Sequence, residues 1–267
     1  MSREYILDSD SDLGRSQLDH LETLLDRHTT GFLEETGVGP GMRCLDLGAG
    51  GGSITRWLAE RTGPEGRVVS VDLDTGPLAA ARPGVEVLRH DLNDGVPPGG
   101  PFDVIHARLL LMHLSRRVEI LDALVGALAP GGWLVVGDFC GPPQRVLASP
   151  GEADTRLFHR VQELAHTIVG RSGISYDWAH EAGGRMSDAG LENVHSLAVS
   201  QTTAGGTPGC LLSRNYVMQA EPLLLDGGLT EDELSRYRDL LLDPEFRAWF
   251  YEFVSTRGRK PSSPGTR

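Results

Sequence analysis

The stretch Arg43-Cys44-Leu45-Asp46-Leu47-Gly48-Ala49-Gly50-Gly51-Gly52-Ser53-Ile54-Thr55 constrains this chain more than any other. Leu45 and Leu47, between Gly41 and Gly48, read as a short buried parallel strand. Ser53 opens a helix through Trp57, Leu58 and Ala59 that ends near Gly63-Pro64. Between them, Gly48, Gly50, Gly51 and Gly52 give backbone freedom and remove side chains, so a ligand can lie against the main chain. A helix N-terminus facing such a turn is a site for a nucleotide-like ligand.

The strand rhythm continues. Arg67 to Asp74 reads as a second strand ending in carboxylates, Val85 to Leu92 as a third, Phe102 to Arg108 as a fourth with its exit, and Trp133 to Phe139 as a fifth. A helix runs from Ser115 to Leu128 and stops at Pro130-Gly131-Gly132. Upstream, Leu18, Leu21, Leu24, Leu25 and Phe32 mark a helix over Leu13 to Leu33, which must pack outside the sheet or cap the site. Beyond Cys140 the pattern changes. Pro142-Pro143 opens an insertion, with helices predicted over about 151–170 and over Ser175 to Ala189. A sixth strand over Glu192 to Gln201, a loop over Thr202 to Gly209, and helices over Cys210 to Leu225 and Thr230 to Leu242 follow. The last strand is sought within Glu245 to Thr256, and the basic tail Arg257-Gly258-Arg259-Lys260-Pro261 is expected to fray. With no repeat and no low-complexity linker, one domain over 1–267 is expected. Residues 1–40 form its N-terminal cap or lid, 41–140 its binding core, 141–190 an insertion and 191–267 the C-terminal strands and helices.

The totals narrow the function. A chain of 267 residues buries a sizeable core. A formal charge of −12 argues against nucleic acid and anionic membranes as partners. Cys44, Cys140 and Cys210 are odd in number and widely spaced, giving neither a disulfide framework nor a metal set. They read as reduced thiols of a cytoplasmic protein. Met1 to Asp12 lacks the apolar core of a signal peptide, and no stretch of about 18 apolar residues could span a bilayer.

Three carboxylates refine the ligand. Asp72, ending the second strand 20 residues after Gly52, can accept two ribose hydroxyls. Asp91 can accept an adenine amine, with the Leu92 amide donating to the ring. The glycine turn alone nearly fits a dinucleotide fingerprint. Asp46, two residues before Gly48, would repel a pyrophosphate and suits a cationic ligand end instead.

Cys44 to Thr55 resembles motif I of the class I S-adenosylmethionine-dependent methyltransferases. Val68 to Asp74, Arg89 to Leu92, Phe102 to Leu114 and Leu128 to Val136 follow in that family's order. The whole chain is similar to the small-molecule enzymes of the ubiquinone/menaquinone-biosynthesis type, including relatives in natural-product pathways. The resemblance implies an α/β, Rossmann-like, seven-stranded, mostly parallel sheet with its last strand antiparallel, helices on both faces, and N-terminal and inserted lid helices. It implies S-adenosyl-L-methionine as cofactor, S-adenosyl-L-homocysteine as product, a small-molecule acceptor, no metal, and a monomer or homodimer. Carried over by residue, Asp46, Gly48, Ala49, Gly50 and Gly52 would surround the methionine portion. Asp72 would hold the ribose, Leu73 would lie under the adenine, Asp91 and Leu92 would read its edge, and Ala107 would offer backbone to the ammonium. Tyr5 would close over the cofactor as part of a lid.

A sulfonium methyl is already activated, so the protein must mainly align donor and acceptor. A base is needed only for a weakly nucleophilic acceptor. His106, Arg108 and His113, at and beyond the end of the fourth strand, are the catalytic candidates; His159, His166 and His180 lie in or beside the inserted helices. Tyr176, Trp178 and Met186 either line an apolar acceptor site in the insertion or are core. Three other readings stand beside methyl transfer. They are a cyclisation or rearrangement enzyme using the same cofactor structurally, a non-catalytic binding protein, and a nicotinamide-dependent oxidoreductase.

Overall fold

The structure is a computed structural model that describes residues 11–78, 83–141, 145–171, 173–249 and 251–262. In chain order the elements are α1 (Asp12–Glu34), β1 (Arg43–Leu47), α2 (Ser53–Thr62), β2 (Arg67–Asp72), β3 (Val85–Arg89), β4 (Phe102–Arg108), α3 (Arg117–Ala127) and β5 (Leu128–Phe139). There follow β6 (Val146–Ala148), α4 (Glu152–Arg171), α5 (Trp178–Asp188), β7 (Glu192–Val199), β8 (Thr202–Ala204), α6 (Pro208–Gln219), α7 (Glu221–Asp226), α8 (Glu231–Leu240), β9 (Arg247–Trp249) and β10 (Phe253–Arg259).

The backbone groups into two compact units. One takes residues up to Leu25, Gly141–Ile174 and Val199–Glu252; the other takes Asp26–Cys140, Ser175–Ala198 and the chain from Phe253 onward. The change falls inside α1, after Leu25, and the segment expected as one insertion divides at Ile174.

The second unit is built on a seven-stranded sheet in the order β3-β2-β1-β4-β5-β10-β7. β1, β2, β3, β4 and β5 pair in parallel, and β10, last in the chain, runs antiparallel to β5. The fold class is as expected. Strands buried on both faces need near-continuous apolar runs, and Cys44, Leu45, Val68, Val69, Val104 and Ile105 are all at most 2% exposed. One face packs under the second half of α1 and under α2, through Phe32, Leu33, Ile54 and Leu58. Trp178 and Met186 of α5 are fully buried, so they are core residues and line no acceptor pocket.

Two C-terminal expectations are corrected. The last strand is Phe253–Arg259, later than expected, and the basic tail is not frayed. The Arg257 guanidinium lies 4.6 Å from the centre of the Phe32 ring. Lys260 joins the backbone of Gly131 and Gly132 and gives its Nζ to the carbonyls of Gly126 and Leu128, at 3.1 and 2.8 Å. A cation on the last carbonyls of α3 is favoured by the helix dipole, so the tail's charges have partners within the sheet unit.

The first unit has its own core. Phe158 stacks on Tyr237 and tilts against Phe246, with ring centres 5.8 and 5.1 Å apart. Phe246 and Ala248 point into that core, and Arg247–Trp249 joins a separate sheet, β6-β9-β8. The expected loop after Val199 contributes β8 to the same sheet.

Candidate active site

In a parallel sheet all strands end on the same edge, which is where open α/β folds bind ligands. The glycine turn leaves β1 at this edge. Gly48 and Ala49 donate to the Val71 carbonyl at 2.8 and 3.1 Å, which pins the turn to β2. Gly48, Gly50 and Gly52 have φ of 65°, 53° and 77°, values that side-chain-bearing residues adopt with strain. Space is equally limiting. A Cβ at Gly52 would sit 2.8 Å from the Leu78 side chain, and one at Gly48 would sit 3.2 Å from that of Leu110.

Asp72 ends β2 beside the turn. Its Oδ2 accepts the Gly50 N–H at 2.9 Å and its Oδ1 accepts the Asp74 N–H at 3.1 Å. An ionised carboxylate offers about two lone pairs per oxygen, so both oxygens keep capacity for an O–H donor. Burial pushes this carboxyl up from the usual range, and the N–H groups of Gly50, Asp74 and Leu73 oppose that shift. Next to it Leu73 is 58% exposed, a large apolar side chain facing solvent at the binding edge. Asp91 Oδ1 accepts both nitrogens of Asn93, capping the 3-10 turn Leu92–Asp94.

Asp46 lies in the buried interior of the sheet. Registers across the sheet align Ser70, Asp46, His106 and Val135 in one row. This row lies on the face covered by α1 and α2, as Val135 packing with Phe32 and Leu58 shows. Thr55, from α2, donates its hydroxyl to Asp46 Oδ2 at 2.6 Å and lies 2.8 Å from the Ser70 hydroxyl. Thr55 has one hydroxyl proton, so Ser70 must be the donor to it. His106 Nδ1 lies 2.7 Å from Asp46 Oδ1. Asp46 is 1% and His106 2% exposed, and each carboxylate oxygen has a partner inside the protein. Strand alternation turns the His106 ring under α1 and α2, the face that Val135 shares.

The other catalytic candidates are also engaged. Arg108 donates to Asp26 Oδ1 at 2.8 Å and to Thr29 Oγ1 at 3.1 Å, and Ser53 Oγ reaches the same Asp26 oxygen at 3.0 Å. Asp26 thus ties α1 to the end of β4 and to the first residue of α2. His113 is held down to about 4 by burial and then by Arg117, so it is neutral near pH 7 and a weak base. Ala107 sits inside β4 and is 1% exposed. Tyr5 lies outside the described residues. His180 is exposed, its Nε2 3.3 Å from Cys140 Sγ.

Thr55, Asp26 and Asp138 were not singled out from sequence. The first two look like ordinary helix residues, and Asp138 like the end of an apolar strand. Only strand register and helix placement bring Thr55 and Asp26 to their partners and bury Asp138.

The profile of the methyltransferase domain family matches residues 19–196. The chain therefore belongs to that family, an enzyme family of the S-adenosylmethionine-dependent class. It is 28% identical over 181 residues to the ubiquinone/menaquinone biosynthesis C-methyltransferase of Ectopseudomonas mendocina, spanning 61% of this chain and 70% of that one. It is 28% identical over 137 residues to a methyltransferase of Strobilurus tenacellus, spanning 50% and 48% of the two chains. Among solved structures, a Haemonchus contortus phosphoethanolamine N-methyltransferase, in complex with phosphomonomethylethanolamine and S-adenosylhomocysteine, superposes with a TM-score of 0.56 at 16% identity. That superposition covers 96% of this chain and 60% of the other. No helix among the described residues is long and apolar enough to cross a membrane.

Proposed function

We propose that this enzyme transfers the methyl group of S-adenosylmethionine to O, N or C of a small-molecule acceptor of the quinone or polyketide-like kind. One observation carries the reading: a glycine turn stripped of side chains is hydrogen-bonded, through Gly50, to a partly open carboxylate at the end of the next strand. That turn fits the group the family implies. In this reading the backbone of Gly48, Ala49, Gly50 and Gly52 holds the methionine portion, and Asp72 takes the two ribose hydroxyls. Leu73 lies against one face of the adenine, and Asp91 and Leu92 meet its edge.

The cofactor supplies a methyl on a positive sulfur that attack neutralises. The chain's part is to hold the donor, exclude water and align the acceptor. In this reading neither His106, buried against Asp46, nor His113, neutral and weakly basic, takes a proton. The acceptor therefore reacts as an anion or with an intrinsically nucleophilic atom. The C-methyltransferase likeness favours a quinol-type carbon.

The test is turnover with S-adenosylmethionine and a panel of quinols, phenols and enols, with S-adenosylhomocysteine and product quantified by mass spectrometry. One equivalent of S-adenosylhomocysteine per product is expected. Product without it would replace methyl transfer by cyclisation or rearrangement. Titration calorimetry should show S-adenosylhomocysteine binding and none of a nicotinamide dinucleotide.

A further inference from the structure

The glycine turn is gripped from outside by a carboxylate that the cofactor reading does not use. Asp26 stands on the second half of α1, in the sheet unit, with its side chain 32% exposed. Its Oδ1 accepts the Ser53 hydroxyl at 3.0 Å and an Arg108 Nη1 hydrogen at 2.8 Å. The same Arg108 nitrogen donates to Thr29 Oγ1, one turn further along α1, at 3.1 Å. A hydrogen bond from a guanidinium to a carboxylate is charge-assisted and roughly twice as strong as a neutral one. The Arg108 side chain is 12% exposed, so this bond is largely withdrawn from water.

The two arms of Asp26 lead to the two ends of the turn. Ser53 directly follows Gly52, whose φ of 77° closes the turn, and it is the first residue of α2. Arg108 ends β4. The chain leaves it through Leu109, whose φ of 51° is strained for a bulky residue. The Leu109 amide donates to the Gly137 carbonyl at 2.7 Å, which fixes this exit. The next residue, Leu110, puts its side chain 3.2–3.3 Å from where a Cβ of Gly48 would stand. Gly48 opens the turn. One carboxylate oxygen therefore ties together the groups that bound the turn at Gly52 and at Gly48. Asp72 is held separately, by the amides of Gly50 and Asp74.

We propose that Asp26 is a positioning residue for the methionine half of the cofactor site: through Ser53 and Arg108 it sets the spacing of Gly52 and Gly48, whose backbone receives the amino-acid end of S-adenosylmethionine. This rests on the cofactor reading of that turn. The adenosine half, assigned to Asp72, Leu73, Asp91 and Leu92, does not hang on Asp26. The role therefore divides one ligand into a part that feels the carboxylate and a part that does not.

Two ligands separate this role from a general structural one. S-adenosylhomocysteine carries both halves. Methylthioadenosine keeps the adenosine and the sulfur and lacks the amino-acid end. In titration calorimetry Asp26→Ala should weaken S-adenosylhomocysteine binding about tenfold, as expected for losing a charge-assisted contact, and leave methylthioadenosine within about twofold. Asp72→Ala should weaken both alike, because both carry the ribose. Ser53→Ala removes a single hydroxyl and should weaken S-adenosylhomocysteine binding about threefold; combined with Asp26→Ala it should cost no more than Asp26→Ala alone. Equal losses for the two ligands in Asp26→Ala, or no loss, overturn the proposal, and so does full additivity of the two substitutions. If Asp26→Ala does not fold, the ratio of the two ligands' affinities in Ser53→Ala decides alone. A wild-type protein that binds neither ligand refutes the cofactor reading and with it the proposed role. A wild-type protein that binds both, with a ratio that neither variant moves, refutes the role of Asp26 alone.

Discussion

Asp46 and Asp72 belong to adjacent strands and look alike in sequence, each a carboxylate at or near the end of an apolar run. Their surroundings make them opposites. Asp46 points to the face under α1 and α2, where Thr55 and His106 take its oxygens. Asp72 is the last residue of β2 and stays partly open, spending one lone pair per oxygen on Gly50 and Asp74. A buried carboxylate with every partner inside the protein contributes to folding. One that keeps capacity at the edge is available to a ligand. Side-chain chemistry does not separate the two; depth in the strand and the helix lying above do.

Substitutions at these two sites should therefore give different phenotypes. The largest effect is expected from Asp46→Ala or His106→Ala. Removing one partner of a buried pair leaves the other uncompensated and costs about 3–5 kcal/mol, read as a shifted denaturant midpoint. An Asp46→Ala protein of wild-type stability but without cofactor affinity would reverse the assignment. Asp72→Ala should leave the fold nearly as stable and weaken S-adenosylhomocysteine binding by about 1–3 kcal/mol in calorimetry; unchanged affinity would move the ribose elsewhere.

A third expectation concerns pH and the other buried carboxyl. Because the folded pKa of Asp138 is raised to about 8, the native state keeps a proton that the unfolded chain has lost above about pH 4. Stability contributed by this group is complete below that point and declines as pH rises to about 8, by at most about 1.4 kcal/mol per pH unit. Thermal melts across this window should show the decline in wild type and less of it in Asp138→Asn. The smallest effect is expected at Lys260→Met, about 0.3–1 kcal/mol from losing the cation on the α3 carbonyls. A loss that vanishes in high salt would show that screened surface charge, and not those two hydrogen bonds, holds the tail.

The legible parts of this protein are those whose physics is local. Positive φ at Gly48, Gly50 and Gly52, the strand before them and the helix after them are properties of a dozen consecutive residues, so the turn and its kind of ligand could be read directly. The place of Asp72 was legible because the end of the second strand in such a unit has one place to be. His106 was not, because its partner is 60 residues away in sequence and its burial depends on which face α1 and α2 cover. The tail was misread for a similar reason: Arg257 and Lys260 look solvated until Phe32 and the last carbonyls of α3 are placed beside them. The aromatic run before it was assigned to the main sheet because nothing local distinguishes one sheet from another.

By itself, then, the sequence determined the α/β pattern, the glycine turn, the rim carboxylate and with them the family. Tertiary structure decided which carboxylates are sequestered, where the C-terminal strands go and how the chain divides into units. Backbone conformation and hydrophobic period are set by near neighbours along the chain. The fate of a polar side chain is set by what packs above it, and that is fixed only when distant segments meet.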